Sequence, residues 1–417
     1  MEILILGAGV IGLTTAYYLT EQGHKVSILD KNPDVGLETS YANGAQLSYS
    51  YVAPLAGPGV IGKVPKWLLD PDSPLRFRPS LDPADICWNL RFMKACNAVQ
   101  SDKTTRELLQ LSFLSRDLLH TLMDTEKLDI DFQASGKMVL HRSTESFNSA
   151  VQLLDFQRQL GCEQFALDTD ECIAKEPSLA PLKNQITGGI YTPSEEAADC
   201  FKFCQNLKTV LLNRGVEFLF EQEVGLLQNN GSSQVSVMLK NRETLSADHI
   251  VVALGCESTA LLKPLQINVP VRPLKGYSLT LPIHNDSQAP HISITDFERK
   301  VVYARIGKRL RIAGMADLVG MNKSIDPNRI KTLIKEAKAV FPEAGNYAQA
   351  EQWAGLRPAT PKGKPIIDGT QYKNLWLNIG QGALGFTLAT GSGKLLADKI
   401  SGKNPSISGE LFSLNNA

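Results

Sequence analysis

The 417-residue chain lacks any excess of charge: 43 Lys and Arg stand against 43 Asp and Glu. A nucleic-acid partner normally selects a basic surplus, so none is indicated. Histidines are few. His24, His120, His141, His249, His284 and His291 contain no pair at metal-ligand spacing, and no metal site is expected. The seven cysteines are odd in number, scattered and without a CxxC pair. Cys200 and Cys204 could share a helix face, but no histidine nearby would complete a zinc site. The pattern fits reduced, mostly buried thiols in a cytoplasmic protein. No apolar stretch reaches the roughly 20 residues needed to span a bilayer. The apolar N-terminus has no basic leader (Glu2 is acidic), so it does not read as a signal peptide. Repeats and low-complexity tracts are absent. What remains is a globular composition, 43% hydrophobic and 21% charged, long enough for two or three domains.

The most informative segment is the first. The apolar run at residues 3–6 reads as a buried strand and is followed by Gly7-Ala8-Gly9-Val10-Ile11-Gly12. A helical pattern covers residues 13–21, and a second apolar run at 26–29 ends in Asp30, followed by Lys31. Strand, GxGxxG turn, helix, strand and acid make up the unit that binds a dinucleotide. Gly7 permits the tight turn, Gly9 lets backbone approach a pyrophosphate, and Gly12 lets the helix pack close to the strand. The helix N-terminus offers free N–H groups and a positive dipole end. Asp30 is placed to accept from both ribose hydroxyls and disfavours a 2′-phosphate. At this point NAD and FAD both remain open, as does a nucleotide-binding protein without catalysis.

Three later segments favour the longer cofactor. A polar, small-residue loop carries Thr39, Ser40, Ala42, Asn43 and Gly44 directly after the ribose-binding acid. An apolar strand at 248–252 ends in the small-residue turn of Ala253 and Gly255. Near the C-terminus, a strand leads through Gly380, Gln381, Gly382, Leu384 and Gly385 into a helix that contains Thr387. That is a second helix N-terminus offered to an anionic group. Together with the fingerprint, these turns suit FAD, a cofactor that spans its domain.

With those motifs, the runs Gly188-Gly-Ile-Tyr-Thr-Pro, Pro273-Leu-Lys-Gly-Tyr-Ser and Gly355-Leu-Arg-Pro complete an ordered set. The chain resembles the FAD-dependent D-amino acid dehydrogenases of the D-amino acid oxidase, glycine oxidase and sarcosine oxidase superfamily. The likeness covers nearly its whole length. It implies an α/β fold: a Rossmann-like FAD-binding domain of the glutathione reductase type, interleaved with an α+β substrate domain on an antiparallel sheet. The FAD domain is expected from 1–85, 188–262 and 351–417, and the substrate domain from 86–187 and 263–350. The periodicities agree with helices at 101–126 and 145–160 and strands at 271–282 and 301–314. Asp199 is a plausible N-cap. The Pro- and Gly-rich stretch 61–83, with Trp67, reads as an ordered surface loop in preference to a lid or a membrane-facing element. In relatives, the Val224 position contacts adenine through its backbone. Many relatives carry histidine where this chain has Gln381, which can donate a hydrogen bond but cannot carry charge.

Oxidising an amino acid requires a fixed carboxylate, a neutral amine and a C–H aimed at the flavin N5, to which the hydrogen leaves as hydride. An arginine is the natural carboxylate clamp. Arg357, in Trp353-Ala-Gly-Leu-Arg-Pro358, matches the superfamily's carboxylate-binding arginine. Tyr277 and Tyr303 are candidates to hydrogen-bond the carboxylate or cap the site. Lys275 is a candidate for the flavin edge, where a cation would stabilise the reduced ring. Tyr49 and Tyr51 follow the flavin loop and are further lining candidates, whereas Arg305 and Arg311 read as structural. The resemblance thus implies non-covalent FAD, oxidation of a D-amino acid to a 2-oxo acid and ammonia, and a quinone-type electron acceptor. Peripheral contact with the inner membrane goes with that acceptor, although no amphipathic basic helix stands out. The competing expectations are a D-proline or D-hydroxyproline dehydrogenase, and a glycine- or sarcosine-type oxidase that makes hydrogen peroxide.

Overall fold

The apolar run at the N-terminus forms the strand Glu2–Leu6, four of whose five residues are buried. In the computed structural model, which describes residues 1–62, 73, 75–77, 82–231 and 233–416, this strand is central to a six-stranded sheet. It pairs in parallel with Lys25–Leu29 (Ile3 beside Val26) and with His249–Val252 (Leu6 beside Val252). The sheet order is Ile366–Gly369, Leu375–Ile379, His249–Val252, Glu2–Leu6, Lys25–Leu29 and Glu217–Leu219. Only its Ile366–Gly369 edge runs antiparallel. Trp67 and most of the 61–83 stretch lie outside the described residues.

The helix Val10–Glu21 is buried from Val10 to Leu19, apart from Ile11. It is apolar nearly all round, as a helix covered on several sides must be. The helix Gly385–Ile400 lies against it so closely that a Cβ on Gly393 would stand 2.7 Å from the Thr14 carbonyl carbon. The helix Cys200–Asn213 shares the same core, and Asp199 caps it by accepting from the Phe201 and Lys202 N–H groups.

The second layer is a nine-stranded sheet. Its order is Glu351–Ala359, Arg272–Pro282, Arg309–Leu318, Val301–Ile306, Ser293–Asp296, Lys137–His141, Gly188–Thr192 and Phe165–Asp168, with Leu75–Phe77 alongside Arg309–Leu318. Most pairs are antiparallel, but Ser293–Asp296 runs parallel to Lys137–His141. On one face, Leu279, Leu281 and Ile312 pack with Ile330 and Leu333 of the helix Pro327–Lys338. The other face borders the cavity described below.

The two layers interleave along the chain, with boundaries that differ from those expected. Gly188–Thr192 and Glu351–Ala359 were expected with the FAD domain, yet both are strands of the nine-stranded sheet. The helix Ala98–Glu126 was expected in the substrate domain. Its buried face (Leu108, Leu111, Leu119, Leu122) instead joins the core around Val10–Glu21. Ser115 and Thr390 hydrogen-bond across that contact at 2.7 Å. Periodicity shows which face of a helix is buried but not what buries it.

Candidate active site

The turn after the first strand is built by backbone geometry. Gly7 has φ +110°, a region closed to side chains, and its N–H donates to the Leu29 carbonyl at 2.8 Å. Gly12 is close to Gly7: a Cβ there would lie 1.9 Å from the Gly7 oxygen. Gly9 precedes the helix with no side-chain cap, and the first turn carries no acid. Ser40 Oγ accepts from the Val10 N–H at 3.1 Å and ties the following loop to this end. Asp30 is fixed at the end of the second strand, with Oδ2 accepting from the Ala8 N–H at 2.7 Å and Oδ1 from the Asn32 N–H at 2.9 Å. Lys31 pairs with Glu257 and lies 3.6 Å from Glu38.

These residues border one end of a cavity of about 1690 Å³. Drug-sized ligands occupy about 300–1,000 Å³, so there is room for a dinucleotide and a second molecule. Val224, Ala253 and Gly255 line the same end. Val224 opens the strand Val224–Asn229.

Residues 39–51 then thread along the cavity. Thr39 Oγ1 donates to the Leu356 carbonyl at 2.8 Å, and Arg311 donates to the Asn43 carbonyl at 2.9 Å. The Ser48 N–H donates to Thr387 Oγ1 at 3.1 Å, reaching the first turn of Gly385–Ile400. That helix also lacks a side-chain cap and an acid in its first turn. Gln381 borders the cavity, and its Nε2 donates to Asn378 Oδ1 at 2.7 Å.

Arg357 projects into this cavity from the strand Glu351–Ala359. One Nη donates to the Met315 carbonyl at 2.9 Å, and among the described residues no carboxylate lies within 4.0 Å of it. Burial pushes its pKa down, and the Asp317 carboxylate opposes that shift. A desolvated guanidinium with one carbonyl partner calls for an anion. Tyr277 borders the same space, and its O–H donates to Asp317 Oδ2 at 3.2 Å. Arg329 holds the other Asp317 oxygen at 2.5 Å. Burial raises the Tyr277 pKa, so the phenol stays protonated. A bulge between Lys275 and Tyr277 sets both Gly276 and Tyr277 against the cavity.

Six of the expected residues do not line it. Gly12 and Gly380 (φ +83°) shape the backbone behind it, and Thr387 supports Ser48. Tyr303 is fully buried on the opposite face, edge-on to Phe341 with ring centroids 5.1 Å apart. Its neighbour Val302 faces the cavity, and successive strand residues point to opposite faces. Lys275 is 2% exposed and donates to the Ser324 carbonyl, behind the Tyr277 ring. Of the two earlier tyrosines, Tyr51 lines the cavity, whereas Tyr49 is buried against Glu196. Sequence reasoning passed over Lys137 and Gln164, which also border the cavity and sit in no motif.

A parallel sheet with a glycine turn, a facing antiparallel sheet and one long cavity between them define a dinucleotide-dependent redox protein. The chain belongs to the family described as FAD dependent oxidoreductase, which matches residues 2–399. It is 47% identical to D-amino acid dehydrogenase 2 of Ralstonia nicotianae, over 99% of this chain and 100% of that one. It is 45% identical to D-amino acid dehydrogenase 2 of Pseudomonas aeruginosa, over 97% and 96% of the two chains. Among solved structures, glycine oxidase from Geobacillus kaustophilus shares the fold with a TM-score of 0.78 at 19% identity, covering 99% of this chain and 97% of that one. L-proline dehydrogenase from P. horikoshii does so with a TM-score of 0.75 at 15% identity, over 99% and 96%. FAD is thus the cofactor. The helix start after Gly9, which has no N-cap side chain, the side-chain-free approach at Gly7 and Gly9 and the fixed Asp30 fit its ADP half.

Among the described residues, no cluster of three or more His, Cys, Asp or Glu could hold a metal ion. None of the helices searched among them is long and apolar enough to cross a membrane.

Proposed function

We propose that the chain is a D-amino acid dehydrogenase that converts D-amino acids to 2-oxo acids and ammonia. The observation that carries this reading is Arg357, a largely desolvated cation facing the cavity without a carboxylate partner among the described residues. The full-length relatives named D-amino acid dehydrogenase support the substrate class. FAD would supply the hydride acceptor for the substrate α-carbon. Gly7, Gly9 and the first turn after Gly9 would hold its pyrophosphate, and Asp30 its ribose. Val224, Ala253 and Gly255 border the adenosine end, and residues 39–44 with 381–385 run along the rest of the non-covalent cofactor.

The protein's own task is then placement. Arg357 holds the substrate carboxylate with charge-assisted hydrogen bonds. Tyr277, kept protonated and pinned by Asp317, packs beside it and fixes its orientation. Electrons leave for a quinone-type acceptor, in keeping with the name dehydrogenase, so turnover in air yields little hydrogen peroxide. The helix Pro83–Ala95 supports peripheral membrane contact: Ile86, Leu90 and Met93 are exposed along one side.

The test is anaerobic bleaching of the purified yellow protein by D- and L-amino acids and by cyclic imino acids. Bleaching by D-amino acids with linear side chains is expected. Bleaching by D-proline alone would move the assignment to a proline-type dehydrogenase. Absence of bleaching by every D-substrate would end the proposal.

A further inference from the structure

Four charged side chains form a closed ring at the edge of the cavity. Lys31, Glu38, Glu257 and Lys323 all border it. Lys31 Nζ pairs with Glu257 and lies 3.6 Å from Glu38. Lys323 Nζ lies 2.5 Å from Glu38 Oε2 and 3.8 Å from Glu257 Oε1. Each ammonium thus meets both carboxylates, and each carboxylate both ammoniums. An isolated exposed ion pair stabilises little, whereas charges joined in a network hold one another more firmly. The four side chains are 30%, 42%, 37% and 40% exposed, so the ring has solvent on one side and the cavity on the other.

The ring joins the two layers of the fold. Three of its members belong to the turns at the Asp30 end. Lys31 follows Asp30, Glu38 precedes Thr39, and Glu257 follows the turn of Ala253 and Gly255. Those turns meet at one carbonyl: Thr39 Oγ1 and Cys256 Sγ both donate to Leu356 O, at 2.8 and 3.7 Å. Leu356 precedes Arg357, so the ring stands between the Asp30 end and the Arg357 end of the cavity.

Lys323 comes from the other layer, on the connection between the strand Arg309–Leu318 and the helix Pro327–Lys338. That connection is anchored beside it. Lys275 Nζ donates to the Ser324 carbonyl, the Ser324 N–H donates to Asn322 Oδ1 at 2.7 Å, and Asp326 pairs with Arg76 at 2.9 Å. Lys275 therefore serves as the root of this connection and Lys323 as its tip. Met321, 48% exposed, borders the cavity from the same segment.

We propose that Lys323 is the clasp of a gate over the ADP half of FAD, whose bridge to Glu38 and Glu257 must open for the cofactor to enter or leave. Protein side chains alone complete the bridge, so it slows passage in both directions rather than adding affinity. Its charges are half exposed, and salt screens such pairs, so the gate loosens as ionic strength rises. The inference rests on the seating of the ADP half at Asp30 and Gly255 given above, and not on the identity of the substrate.

The test follows flavin fluorescence as FAD leaves the purified holoenzyme and as it rebinds to the apoprotein, at low salt and in about 0.5 M sodium chloride. In Lys323→Gln both rate constants should rise about fivefold or more at low salt, with a much smaller change in Kd. Lys323→Arg keeps the charge and should keep the slow rates. Salt should speed exchange in the natural protein more than in Lys323→Gln. Unchanged rates in Lys323→Gln, equal rates in the Arg and Gln variants, or an equal salt effect in Lys323→Gln and the natural protein overturns the clasp. A rise in the dissociation rate alone would mean that Lys323 holds the cofactor directly, and it overturns the gate as well. Asp30→Asn tests the seating itself. If that substitution leaves FAD affinity unmoved, the placement of the ADP half falls and the gate with it. If it weakens FAD binding while Lys323→Gln exchanges FAD at the natural rates, the gate alone falls.

Discussion

The guanidinium of Arg357 occupies the space that a side chain on Gly276 would fill. A Cβ built on Gly276 would stand 2.4 Å from Arg357 Nη2 and 2.6 Å from its Cζ. The two residues are diagonal neighbours across a strand pair in which Gly276 faces Gly355 and Leu274 faces Arg357. The missing side chain is thus what lets the cation lie flat against the cavity wall. Gly276→Ala must push the guanidinium aside by an ångström or more. Misplacement on that scale costs on the order of tenfold to a hundredfold in rate. The expected outcome is a KM for D-amino acids raised by that range, with FAD content unchanged. Steady-state kinetics and a flavin spectrum check it, and an unaltered KM would remove Arg357 as the carboxylate clamp.

Gly9 and Gly12 belong to one motif but do different work. A Cβ on Gly12 would sit 1.9 Å from the Gly7 carbonyl oxygen, which is backbone and cannot turn aside. A Cβ on Gly9 would meet only Ser40 Oγ, at 3.5 Å. Gly12→Ala should therefore separate helix from strand, at about 3 kcal/mol or more. Gly9→Ala should leave the apoprotein as stable as before and weaken FAD binding by crowding the pyrophosphate. Thermal unfolding of apoprotein and flavin titration separate the two effects. Equal destabilisation by both substitutions would contradict the division of roles.

The contrast shows what the chain makes legible. The fingerprint could be read because its meaning is local: spacing alone sets the turn, the helix start and the acid at position 30. Strand positions such as Tyr277 and Tyr303 could not be told apart that way. Both are strand tyrosines in apolar surroundings, and only register decides that one borders the cavity and the other packs on Phe341. Lys275 was misjudged for a related reason, since the bulge that follows it cannot be seen in the pattern. The helix Ala98–Glu126 showed its apolar stripe but not its partner, 275 residues later in the chain at the Ser115–Thr390 contact. Lys137 and Gln164 carry no motif at all, and are brought near each other only because Thr192 pairs with Lys137 and accepts from Gln164.

Lys137 also gives a stability signature. Its pKa falls from the model-peptide value of 10.5 to about 8 in the folded protein, chiefly through burial. Between those values the unfolded chain binds one more proton than the native one. Native stability therefore rises with pH across that window, by up to about 1.4 kcal/mol per unit. Below pH 8 the folded protein carries the whole cost of a buried ammonium. Lys137→Met removes this dependence. The stability of the natural protein relative to the variant should climb from pH 8 towards 10.5 and stay flat below 7. Denaturant titrations of both proteins across that range are the measurement. Parallel stability curves would mean that the lysine is solvated rather than desolvated.

The helix Pro83–Ala95 supplies the last expectation. Ile86, Leu90 and Met93 follow one another at four- and three-residue steps and are 44%, 58% and 44% exposed. That spacing sets them on one stripe of the helix, open to solvent. Residues of this size gain about 1.5–3 kcal/mol each from leaving water. A bilayer surface is where a dehydrogenase would meet a quinone, so this stripe is the expected contact. Leu90→Glu should lower co-sedimentation with lipid vesicles about tenfold or more. Flavin reduction by D-amino acids in solution should not change, because no residue of this helix lines the cavity. Turnover with a vesicle-embedded quinone should fall in step with vesicle binding. If Leu90→Glu and the natural protein bind vesicles alike, the stripe serves something other than a membrane, and the acceptor reaches the enzyme by another route.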